Sequence, residues 1–437
     1  MASRQMHRVC LLTSGHLSTN PRLVKEADAL VNSGYAVSII AADFTPWARA
    51  ADRSFAGRAW KVARTLSFGP HSPRATRVVQ LARQHLARLM VGAGVRRSPI
   101  VCAAWHPIGP DLVRAAIDVQ ADLYIAHYPA ALPAAAIAAQ RYRARYAFDA
   151  EDFHLGDAPV GSEYEVQQKM LRMIEGRYLP GCAYVTAASP GIADAYAEAY
   201  DLVRPTVVLN VFPRVEAASR PTPRGTATPG PSVYWFSQTI GPDRGLECAV
   251  RAIGLARSRP HLYLRGTPAA GFLACLRKIA GEAYVLGRLH VLPPAAPSEM
   301  VRLAAAYDLG HSGEPGHTAN NRIALGNKLF TYLLAGIPVV MSEIPAHCDI
   351  APTMDETTRL YPVNDPERLA SVLDALLGDP AALAAARNAA WRLGQDRFNW
   401  DVEQEKLLGC VAAALETSLR ARDAKWVCAP QAGVGTS

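Results

Sequence analysis

VCLLTSGHLSTNPRLVKEADALVNSGYAVSIIA, the stretch from Val9 to Ala41, reads as strand, loop, helix, strand. Val9–Thr13 is a short apolar run, and Ser14-Gly15-His16 is a loop. Thr19 or Asn20 can cap a helix that carries Pro21 in its first turn. Leu23, Ala27, Leu30 and Val31 keep a helical period, Gly34 ends it, and Val37–Ala41 is a second buried strand. This is a βαβ unit, and the loop after its first strand lies at the carboxyl edge, where such sheets bind ligands.

Working outward, the alternation continues. Leu123–Ala126 is a strand ending at His127-Tyr128-Pro129 ahead of an Ala-rich helix. Tyr146–Asp149 ends at Ala150-Glu151-Asp152, and Tyr184–Ala187 leads through Ser189-Pro190-Gly191 into a helix reaching Tyr200. Thr206–Leu209 closes the first half. Pro213 to Pro231 is rich in Pro, Arg, Thr and Gly, the composition of a linker. Beyond it Val233–Phe236, His261–Leu264, Tyr284–Leu286, Leu289–Leu292, Tyr307–Gly310 and Pro338–Met341 read as strands. Leu246–Ala256, Ser298–Ala306 and Asn327–Ala335 read as helices. The expected architecture is α/β, with two Rossmann-like doubly wound parallel-sheet domains facing a cleft. The expected boundaries are 1–212 with a basic helical insertion at about 48–98, a linker at 213–231, a second domain at 232–397, and a C-terminal helix and frayed tail at 398–437. That last helix starts near Trp400.

A chain of 437 residues suits two cores, and 50% hydrophobic residues exclude a disordered protein. The eight cysteines stand singly, with no Cys-x-x-Cys pair, so neither a zinc site nor a disulfide framework is expected. Val9–Leu12 is too short for a signal-peptide core, and no run of about 18 apolar residues occurs. A reducing cytoplasm suits such a chain. The net charge of +8 is uneven. Arg49, Arg53, Arg58, Lys61, Arg64, Arg74, Arg77, Arg83, Arg88, Arg96 and Arg97 face only Asp52 within their own stretch. That block fits an anionic surface at the inner face of the cytoplasmic membrane or a lipid-pyrophosphate acceptor; the plainer alternative is a solvated helical face. Nucleic acid is not expected as a partner. Gly-x-Gly-x-x-Gly is absent, which disfavours a nicotinamide dehydrogenase.

From about Arg8 to Leu419, apart from Ala48–Ser98 and the linker, the chain resembles family-4-type (group 1) glycosyltransferases of the GT-B fold. Gly15-His16 with Asn20-Pro21-Arg22, Ala126-His127 and Asp149-Ala150-Glu151 look like that family's acceptor-side loops. Ser237-Gln238 and Arg244-Gly245-Leu246-Glu247 resemble its Gly-Arg…Lys-Gly segment. Asn327-Lys328-Leu329-Phe330-Thr331 through Gly336-Ile337-Pro338 looks like its nucleotide-binding helix and following strand. Thr331 stands where the family carries its second glutamate, Gln238 replaces an arginine, and Arg244 replaces a lysine. Glu314 is the surviving candidate for the first glutamate.

Breaking an anomeric carbon–oxygen bond leaves a nucleoside diphosphate, whose charge needs fixed cations or helix N-terminal amides. Arg244 and Lys328, at the starts of two helices, are the candidates. Glu314 would contact sugar hydroxyls. Asn327 and Thr331 would cap diphosphate and ribose, unless Thr331 bonds back to its own helix. His127 would donate to sugar or phosphate, His16 beside Gly15 would bind acceptor or phosphate, and Asp149 or Glu151 would position or deprotonate an acceptor hydroxyl. Each of these also has a plain structural reading as a capped or packed loop residue. With cations in that role, neither metal nor cofactor is expected; the substrates are a nucleotide sugar and a glycan or lipid-linked acceptor. The resemblance implies retention at the anomeric carbon. Two other classes stay open: a catalytically impaired GT-B scaffold that binds nucleotide or glycan, and a sugar-nucleotide epimerase.

Overall fold

The structure is a computed structural model that describes residues 6–157, 164–218 and 229–427. In the first domain the strands and helices alternate as β1 (Arg8–Thr13), α1 (Pro21–Asn32), β2 (Ala36–Asp43), α2 (Pro46–Asp52), β3 (Lys61–Ser67) and α3 (Arg74–Gly92). They continue as α4 (Ser98–Trp105), α5 (Gly109–Ile117), β4 (Leu123–His127), α6 (Leu132–Tyr142) and β5 (Arg145–Ala150). α7 (Glu165–Tyr178), β6 (Val185–Ala187), α8 (Pro190–Tyr200) and β7 (Thr206–Val207) complete it. These strands form one parallel sheet in the order β3-β2-β1-β4-β5-β6-β7.

The second domain runs β8 (Ser232–Ile240), α9 (Leu246–Leu255), β9 (His261–Pro268), α10 (Phe272–Glu282), β10 (Leu289–Leu292), α11 (Met300–Ala304) and β11 (Leu309–Ser312). Then come α12 (Ala319–Ile323), α13 (Asn327–Leu334), β12 (Val339–Ser342), α14 (Pro345–Ile350), β13 (Thr358–Tyr361), α15 (Pro366–Leu377), α16 (Pro380–Asp396) and α17 (Trp400–Val427). Its sheet is also parallel, in the order β10-β9-β8-β11-β12-β13.

Both sheets are covered on two faces, which is why their strands read as unbroken apolar runs. In β1, Val9 and Leu11 enter one hydrophobic layer while Cys10 and Leu12 enter the other. The first of these layers extends through Val208, Leu209, Val211 and Phe212 to Phe330, Phe398 and Trp400, so one core joins the two domains at the crossover. α17 returns to the first domain: Trp400 N–H donates to the Phe212 carbonyl at 2.9 Å, and Leu209 N–H to Glu403 at 2.8 Å. The caps match the local sequence. Asn20 Oδ1 accepts from Leu23 N–H, Ser189 Oγ accepts from Ile192 N–H, and Gly34 and Gly336 leave their helices at φ +85° and +71°.

Several expectations are corrected. The insertion at 48–98 is not only helical, because β3 lies inside it as an edge strand of the first sheet. Tyr284–Leu286 is a turn in which Tyr284 sits at φ +54° and is 94% exposed, and in place of the expected strand it leads from α10 into a 3-10 turn at Leu286–Arg288. The loop expected after Phe236 is strand up to Ile240, and the strand expected from Tyr307 begins at Leu309. β13 was not expected at all. Nor are the arginines of the insertion opposed only by Asp52: Arg49 pairs with Asp43, Arg58 with Asp28 and Arg83 with Asp111. Of the expected linker at 213–231, Arg214–Glu216 form a short 3-10 turn, while residues 219–228 and the tail beyond Val427 lie outside the described residues. No single described helix is long and apolar enough to cross a membrane.

Candidate active site

The carboxyl edge of the second sheet gathers the chemistry. β11 ends at Ser312 and the chain turns through Gly313 to Glu314. α13 starts after the short helix α12, which brings Lys328 Nζ to 2.7 Å from Glu314 Oε1 and 5.7 Å from the Trp235 ring. Burial favours a protonated Glu314, but the Lys328 ammonium outweighs it, and His347 and Arg244 add to the same field, so the carboxyl titrates below its ordinary value. Arg244 forms no ion pair among the described residues.

The loop before α9 is held against the Glu314 loop by backbone. Gly245 sits at φ +67°, and a Cβ there would fall 1.9 Å from the Gly313 carbonyl oxygen, so only glycine allows this approach. Asp243 and His317 tie the same two loops at 2.9 Å. Arg244 and Lys328 thus act on one carboxylate from two helix starts.

Beneath that pair lie polar atoms with no partner. The Ser342 hydroxyl donates to the Glu314 carbonyl at 2.6 Å, and His347 Nδ1–H donates to the Ser342 carbonyl at 2.8 Å. This leaves His347 Nε2 buried and unpaired, and Trp235 Nε1, Ser312 Oγ and His311 Nδ1 are unpaired in the same way. His311 meets the Tyr361 hydroxyl at 2.9 Å through its other nitrogen, and burial lowers its pKa to about 4. Buried groups left unpaired are costly in a finished core, and a polar ligand would satisfy them.

Other expected donor residues are placed differently. The Thr331 hydroxyl is fully buried and donates to the Asn327 carbonyl at 2.9 Å, which turns it into its own helix and away from any ribose. Asn327 is half-buried at the start of α13. Gln238 is exposed on the extension of β8.

In the first domain the structure draws the expected residues into a buried charge cluster. Arg22 grips Asp149 with two bonds of 2.6 and 2.8 Å and donates to the Val208 carbonyl. His127 Nε2 meets Glu26 at 2.7 Å, and Asp149 stands 3.4 Å from its Nδ1. Burial opposes charge on His127, but the bond to Glu26 and the neighbouring carboxylates prevail and raise its pKa. The His127 ring is completely buried, so the expected donation by His127 to sugar or phosphate has no path here. His16 is likewise pinned: Nδ1 bonds Asp52 at 2.8 Å, while Nε2 accepts the Phe44 and Thr45 amides at 2.9 and 3.0 Å. Both ring nitrogens are satisfied, and the role expected for His16 with acceptor or phosphate is replaced by anchoring of the insertion. Asn20 caps α1, and Gly15 N–H is received by Thr13 Oγ1 at 3.0 Å.

Glu26, His127 and Asp149 lie close enough together to hold an ion. Arg22 already occupies both oxygens of Asp149, and Glu26 already takes His127 Nε2, so this donor set does not suit a metal. Glu151 differs from its neighbours. Its Oε1 is unpaired, and burial together with the Asp149 charge raises its pKa to about 7. Tyr128 beside it holds φ +71°, a strained angle for a residue with a Cβ.

The two domains touch through α12. Asn320 Oδ1 accepts from Phe153 N–H at 2.8 Å, and its amide donates to Asp152 at 2.9 Å. The Ser189 hydroxyl donates to the Ile323 carbonyl at 2.6 Å. Tyr128, Trp235, Asn320 and His347 were not expected from sequence.

No family model and no curated protein matches the sequence. Solved structures do. Anabaena HepE in complex with UDP-glucose superposes with a TM-score of 0.65 at 15% identity, over 93% of this chain and 100% of HepE. Thermosynechococcus elongatus sucrose-phosphate synthase gives 0.63 at 15% identity, over 96% and 100%. This is the GT-B fold. S. aureus TarM, whose structure holds UDP and an α-GlcNAc-glycerol, matches at 0.66 with 9% identity, over 93% of this chain and 99% of TarM. GT-B chains are two Rossmann-like domains across a cleft, and here the edges of both sheets are bridged by α12.

Proposed function

We propose that the protein is a nucleotide-sugar-dependent glycosyltransferase of the family-4 type. The observation that carries the reading is the convergence of Arg244 and Lys328 on Glu314 at the carboxyl edge of the second GT-B sheet. A diphosphate entering there meets one guanidinium and one ammonium at two helix starts, as charge growing on a leaving group requires. Beneath them the unpaired Trp235 Nε1–H can donate to an oxygen of the donor, and the unpaired His347 Nε2, whose ring proton sits on Nδ1, can accept from a sugar hydroxyl.

In the proposed reaction the bond from the anomeric carbon to the diphosphate oxygen breaks and a bond to the acceptor hydroxyl oxygen forms on the same face. The acceptor proton passes to the departing diphosphate, and no metal takes part. Glu151, with its pKa near 7, is the first-domain group suited to orient the acceptor. HepE bound to UDP-glucose and TarM bound to UDP and an α-GlcNAc-glycerol support a UDP-sugar donor and a hydroxyl acceptor. A glycan or lipid-linked acceptor of envelope or extracellular polysaccharide synthesis, on the cytoplasmic side, completes the proposal.

Titration calorimetry with UDP tests it. Lys328→Ala is expected to weaken binding about ten- to hundredfold, the range for a lost charge-assisted hydrogen bond; unchanged affinity removes Lys328 from the site. One observation favours a second reading, a nucleotide-binding scaffold without turnover: Thr331 supplies no carboxylate and turns away from the cleft. UDP binding with neither hydrolysis nor transfer across a panel of UDP-sugars and acceptors would select the scaffold.

A further inference from the structure

α3 is apolar on both sides. Its inward side packs Ala87 and Val91 against Val101 and Ala104, and carries polar anchors beside them: buried Gln80 donates to Asp111 at 3.1 Å, Arg83 pairs with Asp111 at 2.8 Å and donates to the Pro107 carbonyl, and Gln84 reaches the Ala104 carbonyl. Its outward side is apolar. Val78, Val79, Leu81, Leu86 and Leu89 are 64%, 61%, 49%, 60% and 57% exposed. At about 100° per residue these five, Ala82 and the exposed His85 share the solvent side of the helix, with Arg77 and Arg88 along one border and Arg74 at its first turn. A largely apolar ridge of this length on a folded surface marks a contact, with His85 its one polar side chain between Leu81 and Leu89.

The charges around the ridge identify the other party. Arg74, Arg77 and Arg97 form no ion pair among the described residues; Arg88 donates to the Ala104 carbonyl, and Arg96 to Met173 Sδ. A second copy of this chain, docked face to face, would set these arginines against one another. The groove beside α3, 670 Å³ in volume, offers little excess charge, because its Arg64, Arg83 and Arg114 are each within 4.0 Å of Asp111 or Asp118. What remains is a surface that accepts leucine side chains and presents phosphates around them.

We infer that the outward face of α3 is a docking surface for an anionic lipid bilayer, with its valines and leucines at the acyl boundary and its arginines among the headgroup phosphates. Position in sequence alone suggested only attraction between charges. The structure supplies the apolar part, since the insertion's arginines are in part neutralised by Asp28, Asp43 and Asp111. This inference does not rest on the transferase reading, and neither fails with the other.

Flotation of the full chain with vesicles tests it. Wild-type protein is expected to float with phosphatidylcholine–phosphatidylglycerol vesicles and not with phosphatidylcholine alone. Leu86→Glu with Leu89→Glu changes two exposed positions, so folding is retained, and the partition coefficient is expected to fall about a hundredfold. Arg74→Gln with Arg77→Gln is expected to lower it about tenfold. Absence of wild-type flotation, equal flotation with neutral vesicles, or undiminished flotation of the leucine variant each overturns the inference. So does sedimentation showing a vesicle-free dimer that the leucine variant dissolves, which would assign the ridge to a second copy. Unchanged calorimetric UDP affinity in both variants would keep this result separate from the donor site.

Discussion

Lys328 and Glu314 hold each other at 2.7 Å over a layer of unpaired polar atoms. The pair keeps an ammonium in place at a half-buried site, ready to be shared with an incoming diphosphate, while Arg244 stands by without a partner of its own. Charge at Glu175 is managed in the opposite way. Its carboxyl receives the Tyr196 hydroxyl at 2.9 Å and the Tyr200 hydroxyl, yet burial dominates and raises its pKa to about 7 from 4.5. A carboxyl whose folded pKa lies above the unfolded one holds its proton longer in the native state. Its contribution is therefore most favourable below pH 4.5 and is lost as pH rises through 7. Glu175→Gln lacks this titration and is expected to gain on the order of 2 kcal/mol relative to wild type between pH 5 and pH 8. Urea denaturation at the two pH values measures it, and a constant difference would show that the site does not titrate in that window.

At the scale of elements, α12 is the piece of the second domain that the first domain holds. It lies between Glu314 and Lys328 in sequence, so a change in its seating acts on both ends of the proposed donor site. The seat is made by glycines with no room to spare: a Cβ on Gly191 would come 2.7 Å from Ile323 Cβ, and one on Gly156 would come 2.8 Å from the Asn320 backbone nitrogen. Gly191→Val is expected to wedge the domains apart, raising the radius of gyration in solution scattering and weakening UDP binding about tenfold. An unchanged radius would mean that α12 is held elsewhere. Elements of this kind divide what could be read from sequence. The opening β1–α1–β2 unit was legible because its apolar period, the Asn20 cap and Gly34 all lie within it. β3 was not, since its seven residues alternate weakly and carry charge, as an edge strand can. The site divides in the same way. Glu314, Arg244 and Lys328 stand at element ends that local pattern reveals. The positions of His16, Arg22 and His127 depend on Asp52, Asp149 and Glu26, partners 36, 127 and 101 residues away that no local pattern names.

For the molecule as a whole, the crossover at 210–217 and the start of α17 carry both domains on one core, and Lys25 lies where they meet. Its ammonium donates to Asn210 Oδ1 at 3.0 Å and to the Val211 carbonyl, between the rings of Phe212 and Trp400 at 5.2 and 5.3 Å. Burial, with Arg22 nearby, lowers its pKa to about 7 from 10.5, while Glu216, Glu151 and Asp149 pull the other way. A lysine whose folded pKa lies below the unfolded one binds fewer protons in the native state between those values, so stability rises with pH across 7 to 10.5. The full cost of burying the charge applies below pH 7. Lys25→Met removes the titration but also two hydrogen bonds, so the slope with pH is the readout and not the absolute level. Wild type is expected to gain on the order of 2 kcal/mol against Lys25→Met between pH 7.5 and 9.5 in urea unfolding. Parallel curves for the two proteins would place the Lys25 titration outside that range and leave the joint between the domains insensitive to pH.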